Sequence, residues 1–113
     1  MVLNLDLKLS MGTKKEEQTD LMEANRTEVI PPSFYKVLLL NDDYTTMDFV
    51  ILILKKFFNK TDEEAHSLMM EIHLKGLAVC GIYTFEVAES KVSKVNKFSK
   101  ENGHPLKCIS EAE

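Results

Sequence analysis

Three acceptor-rich side chains, Asn41, Asp42 and Asp43, follow directly on an apolar run, Lys36-Val37-Leu38-Leu39-Leu40, and a helix-forming segment begins a few residues later. Carboxamide and carboxylate oxygens held at such a strand-to-helix junction suit a small positively charged group, either a metal ion or an ammonium. His73 is the other polar residue of interest. It follows Ile72 and lies four residues past Met69, so these side chains share one side of a helix. If the two helices pack as a hairpin, Asn41, Asp42 and His73 converge beside an apolar recess containing Met47, Met69 and Ile72. A primary ammonium has three donors and no acceptor. An Asn carbonyl, an Asp carboxylate and a neutral His nitrogen satisfy all three, and the recess takes a bulky side chain. That is the chemistry of a free amino terminus bearing a large apolar residue. In the acceptor role His73 must be neutral, so binding is expected to fade in acid.

Each of these residues also has an ordinary structural use. Asn-Asp-Asp after a strand is common turn and capping chemistry. A lone histidine on a half-buried helix often just packs, and methionines at helical spacing usually belong to a core. An acid–base or metal enzyme could use Asp42 or Asp43 with His73, but the chain offers no activated nucleophile, phosphate-cradling glycine loop or ligand cluster of the usual metal-site spacing. A phosphate-receiving signalling domain would need repeated strand–helix units and a later phosphoacceptor strand, which are missing. A module that clamps a peptide amine needs nothing the chain lacks.

The elements that must position these residues are read from periodicity and punctuation. With 113 residues, 44% hydrophobic and 28% charged, the chain has room for one domain with a modest core. Lys14 to Glu28 is polar and without an apolar stripe, so residues 1–30 are expected to form a flexible extension, and Pro31-Pro32 to open a folded domain over 31–113. Met11-Gly12 offers a second, internal start. Tyr35–Leu40 reads as a strand buried on both faces. Thr45 with Asp48 predicts a capping box and a first helix with the stripe Met47, Val50, Ile51, Leu54, Phe57 and Phe58, ended by Asn59-Lys60. Thr61 with Glu64 repeats the box and opens a second helix that buries Ala65, Leu68, Met69 and Ile72 and stops at Gly76.

Leu77–Tyr83 reads as a strand, with Gly81 where another backbone comes close. Thr84 caps a third helix with Phe85, Ala88, Val92 and Val95 inward, and Gly103 and Pro105 terminate it. Leu106–Ser110 forms the last strand. The order strand-helix-helix-strand-helix-strand predicts an α+β fold, a small three-stranded, mainly antiparallel sheet with three helices packed on one face.

Composition narrows the partners. A net charge of −4 and a single arginine, Arg26, argue against nucleic acid. No apolar run approaches the ~20 residues of a membrane span, and residues 1–10 alternate rather than form a signal-peptide core, so a cytoplasmic protein is expected. Cys80 and Cys108 lack metal-knuckle spacing and are expected to be reduced and buried. No cofactor or metal is expected.

A longer pattern is now visible. Pro31-Pro32-Ser33-Phe34-Tyr35-Lys36-Val37-Leu38-Leu39-Leu40-Asn41-Asp42-Asp43-Tyr44-Thr45, with Met47, Phe49 and Val50, resembles the ClpS family of substrate adaptors of the bacterial Clp ATP-dependent protease. The likeness continues through Leu68-Met69, Ile72-His73, Gly76, Cys80-Gly81, Glu86-Val87-Ala88-Glu89, Lys91-Val92 and Asn102 to His104-Pro105-Leu106, covering about residues 31 to 108. The resemblance implies a non-enzymatic adaptor that binds proteins beginning with Leu, Phe, Tyr or Trp and hands them to the N-terminal domain of a ClpA-like or ClpC-like AAA+ unfoldase. It implies that Asn41, Asp42 and His73 hold the substrate α-amino group. Thr45, Met47, Val50, Met69, Ile72 and Leu106 would surround the side chain, with Met47 as a gate against β-branched residues. Glu86 and Lys91 would lie on the unfoldase-docking face, and the N-terminal extension would engage the unfoldase during hand-off.

Two residues depart from the pattern. Thr46 stands where proline often opens the first helix. Ile72 stands where valine is common; the added methylene, worth about 1–3 kcal/mol of discrimination at most, is expected to disfavour Trp relative to Leu.

Overall fold

The computed structural model describes residues 33–113; the expected extension over residues 1–30 lies outside them. The elements are β1 (Phe34–Leu40), α1 (Met47–Phe58), α2 (Asp62–Lys75), β2 (Leu77–Thr84), α3 (Phe85–Glu101) and β3 (Lys107–Ala112). β1 is the central strand of an antiparallel sheet of order β2-β1-β3. This is the expected α+β topology. Val37 and Leu39 point into one core with Ile53, Leu54, Ala65, Ile72, Ala88 and Val95 of the three helices. Leu38 alternates to the opposite face, where the register sets it between Val79 and Ile109 and leaves it only 4% exposed. The run Val37-Leu38-Leu39 is thus buried because its strand is central, with helices on one side and neighbouring aliphatic side chains on the other.

Local signals place most boundaries. The Thr61–Glu64 capping box forms in both directions, at 3.0 and 3.1 Å. Asn59 (φ 55°) ends α1 and Gly76 (φ 93°) ends α2, each in the left-handed region. The start of α1 differs from expectation. Thr46, not Thr45, is the N-cap, accepting the Phe49 N–H at 3.1 Å. The Thr45 hydroxyl instead donates to Asp42, and the Thr45–Asp48 box does not form. Thr84 does occupy the N-cap position of α3, but its hydroxyl makes no cap bond. Phe85, expected inward, packs edge-on against Tyr35 at 5.2 Å yet stays 52% exposed, since it sits at the margin of the sheet. Phe49 and Ile53 are buried although the stripe omits them. Helix α1 packs against both α2 and α3 and needs a wider apolar face.

Gly81 has a different reason from the one expected. The ladder pairs Val37 with Gly81 and Leu38 with Val79, leaving Cys80 as the extra residue of a bulge. A Cβ on Gly81 would meet the side chain of Tyr83, lying 2.6 Å from its ring carbon Cε2. Replacing Gly81 with alanine is expected to destabilise the fold by about 1–3 kcal/mol through overpacking. An unchanged urea midpoint would show that the ring moves aside freely. Cys80 and Cys108 are free thiols on the core side of the two outer strands, and burial pushes each up to about 12.

Candidate functional site

The Asn41 N–H donates to the Gly76 carbonyl at 2.9 Å, and the Gly76 N–H donates to Ile72 at 2.9 Å. These two bonds fasten the end of β1 to the end of α2. His73 lies one turn before Gly76, so the ends of the elements that carry Asn41, Asp42 and His73 are neighbours. The expected hairpin of α1 and α2 is present. Asn41 and His73 are exposed, and Asp42 is half-buried.

Asp42 organises the junction. Its Oδ1 accepts the N–H groups of Tyr44 at 2.8 Å and Thr45 at 2.7 Å, while Oδ2 accepts the Thr45 hydroxyl at 2.7 Å. A carboxylate has about four lone-pair sites. Three are used within the loop, and among the described residues the remaining one, on Oδ2, takes no donor. Partial burial pushes the Asp42 carboxyl up. The Thr45 hydroxyl, the Thr45 and Tyr44 N–H groups and the charge of His104 outweigh it and hold the group below its ordinary value.

A depressed carboxylate contributes stability that is complete above about pH 4, its unfolded value, and is lost as pH falls through the lower folded value. The stability difference between the parent chain and Asp42→Asn should therefore be constant above about pH 4 and shrink in stronger acid. Urea unfolding across that range reads it directly. A gap that persists unchanged in strong acid would contradict the assignment.

Val50, Met69, Ile72 and Leu106 are all buried and belong to the main apolar core of the domain. Thr45 is half-buried, and Met47, in the first turn of α1, is 47% exposed. Thr45 and Met47, which flank the start of α1, lie nearer the surface than these core residues. His104, which spacing does not single out, stacks on Phe49 with centroids 3.9 Å apart and sits close enough for its charge to act on Asp42. The His-Pro pair after the Gly103 turn is the one sequence signal that marks it. Among the described residues, no group of three His, Cys, Asp or Glu side chains is arranged to hold a metal ion.

Glu86 and Lys91 lie apart from this junction, on a surface groove of about 460 Å³ between the end of α1 and the start of α3. Glu86 is exposed. Lys91 is half-buried and donates to the Phe57 carbonyl at 2.6 Å, with its ammonium over the rings of Tyr83 and Phe58 at 5.5 and 6.0 Å.

Residues 30–109 match the family described as ATP-dependent Clp protease adaptor protein ClpS. The chain belongs to the ClpS family. The ClpS adapter protein of Xanthomonas oryzae is 54% identical over 101 residues, covering 88% of this chain and 95% of its own. That of Shewanella loihica is 54% identical over 86 residues, covering 76% and 84%. Among solved structures, Agrobacterium tumefaciens ClpS2 bound to L-phenylalaninamide is similar, with a TM-score of 0.72 at 38% identity, covering 74% of this chain and all of that one. ClpS proteins are adaptors of the Clp protease and not enzymes. Among the described residues no helix is long and apolar enough to cross a membrane.

Proposed function

We propose that this chain binds proteins bearing N-terminal Leu, Phe, Tyr or Trp and delivers them to a Clp AAA+ unfoldase in the cytoplasm. Asn41, Asp42 and His73 accept the three protons of the α-ammonium. Thr45, Met47, Val50, Met69, Ile72 and Leu106 surround the side chain. Glu86 and Lys91 mark the face that meets the unfoldase's N-terminal domain, and residues 1–30 engage it during hand-off. The observation that supports the reading is the Asp42 carboxylate, fixed at the end of β1 by three local bonds and keeping lone-pair capacity among the described residues. Phenylalaninamide, the ligand of the Agrobacterium relative, is an amine with a bulky apolar side chain and supports the same pairing of clamp and side-chain pocket.

Reconstituted degradation tests it. With a ClpA-type unfoldase and its peptidase, the chain should accelerate degradation of a Leu-first reporter protein and leave a Met-first version unaffected. Equal effects on the two reporters, or none, would contradict it.

A further inference from the structure

Both faces of the sheet are apolar, and only one of them is covered. The helices pack on the side that carries Val37, Leu39, Ala78 and Cys80. On the other side the register sets Leu38 between Val79 and Ile109, Leu40 beside Leu77, and Lys36 beside Ile82. None of these six aliphatic residues belongs to the core cluster. Leu77, Val79 and Ile82 are 45%, 37% and 49% exposed. An antiparallel sheet with one solvated face ordinarily turns polar residues outward. A contiguous aliphatic patch in their place marks a surface that something covers.

The start of the sequence has the pattern of such a cover. Leu3, Leu5, Leu7 and Leu9 alternate with Asn4, Asp6 and Lys8, a period of two that gives an extended segment one apolar and one polar side. Neither the amine clamp nor the side-chain pocket uses these leucines. We infer that residues 3–9 lie extended across the open face, with the leucines against the sheet and Asn4, Asp6 and Lys8 toward water.

Length and connection favour this occupant. The seven residues Leu3–Leu9, extended, span about 23 Å, as do the seven residues of β1. The chain enters the sheet at Phe34, whose side chain alternates to the open face. The 23 residues from Ser10 to Pro32 connect the two, and a coil of that length reaches about 25 Å, the length of the face. Such a tether holds the segment at an effective concentration on the order of millimolar, which a free partner does not match. A second copy would also have to desolvate Lys36 and Glu111, paired beside the patch, whereas a single strand leaves them at its margin.

Paramagnetic broadening in the full chain tests the inference, independently of the adaptor reading. A nitroxide is attached at Asn4→Cys, where the buried thiols of Cys80 and Cys108 do not compete, and the Ile, Leu and Val methyls carry 13C. Val79, Ile82 and Ile109 should lose most of their signal, while Ile51 and Val92 on the helical side keep theirs. Adding Leu5→Ser and Leu7→Ser should abolish that selective loss and leave the helix-side methyl shifts unchanged.

Equal broadening on both faces, or selective broadening that survives the two serine substitutions, overturns the inference. Broadening confined to one outer strand overturns it too, by making the segment an added edge strand. Broadening in a mixture of nitroxide-bearing chains without 13C and 13C chains without nitroxide would give the face to a second copy instead.

Discussion

Replacing Asp42 with asparagine is expected to weaken binding of a Leu-first peptide by about 2 kcal/mol, roughly thirtyfold, while leaving the fold in place. The substitution separates two jobs that one side chain performs. Within the loop, Asp42 accepts from the backbone of Tyr44 and Thr45 and from the Thr45 hydroxyl. An asparagine carbonyl can keep the two backbone bonds, and its NH₂ can donate to the hydroxyl instead. What it cannot supply is the negative charge opposite an ammonium, or the last acceptor site. Alanine loses both functions, so Asp42→Ala should bind more weakly still and lose about 1 kcal/mol of stability as well. The loss is at the low end for a broken charge pair because Asp42 is only half-buried. Peptide affinity within twofold of the parent in Asp42→Asn would mean that the charge is not what holds the amine.

Met47→Ala should relax selectivity more than it lowers affinity. Met47 stands in the first turn of α1, about half exposed, and in the proposed site it guards the side-chain pocket of Val50, Met69, Ile72 and Leu106. A β-branched residue carries a second γ-carbon close to its own backbone, where a long side chain at the entrance would meet it. Truncating that side chain removes the obstacle and some apolar contact together. Val-first and Ile-first peptides are expected to gain about tenfold, and Leu-first peptides to lose no more than a few-fold, as befits changes of one or two methylenes. Titrating the three peptides against parent and variant decides it. A variant that keeps Leu binding and still rejects Val would place the gate elsewhere.

What the sequence revealed depended on whether the determining partner was near in the chain. The Thr61–Glu64 box and the glycine cap at Gly76 are decided within three or four residues, and both formed as read. The start of α1 was not decided locally. Thr45 and Thr46 are chemically the same, yet the first donates its hydroxyl to Asp42 and the second caps. Gly81 was conspicuous as a glycine in a strand, but its cause is a tyrosine ring two residues further along the same strand.

The candidate site shows the same division. Periodicity placed Met69, Ile72 and His73 on one side of a helix and Asn41 and Asp42 at the end of a strand. That these two ends are neighbours rests on the bond between Asn41 and Gly76, a tertiary fact. Nothing near Lys91 in the chain marks its partner, the Phe57 carbonyl, which lies 34 residues away. His104 could not be weighed until its ring was seen on Phe49. The resemblance to an adaptor family supplied roles that spacing alone left open between an ammonium and a metal ion.

The central claim is that this junction recognises a free amino terminus together with a bulky, unbranched side chain. Fluorescence anisotropy of a labelled Leu-first peptide, run beside its N-acetylated form and a Val-first form, tests both halves at once. Binding at micromolar concentration or below by the free Leu peptide alone is the expected result. Equal binding of all three, or none by any, would contradict the claim and return Asn41, Asp42 and Asp43 to the role of a capped turn.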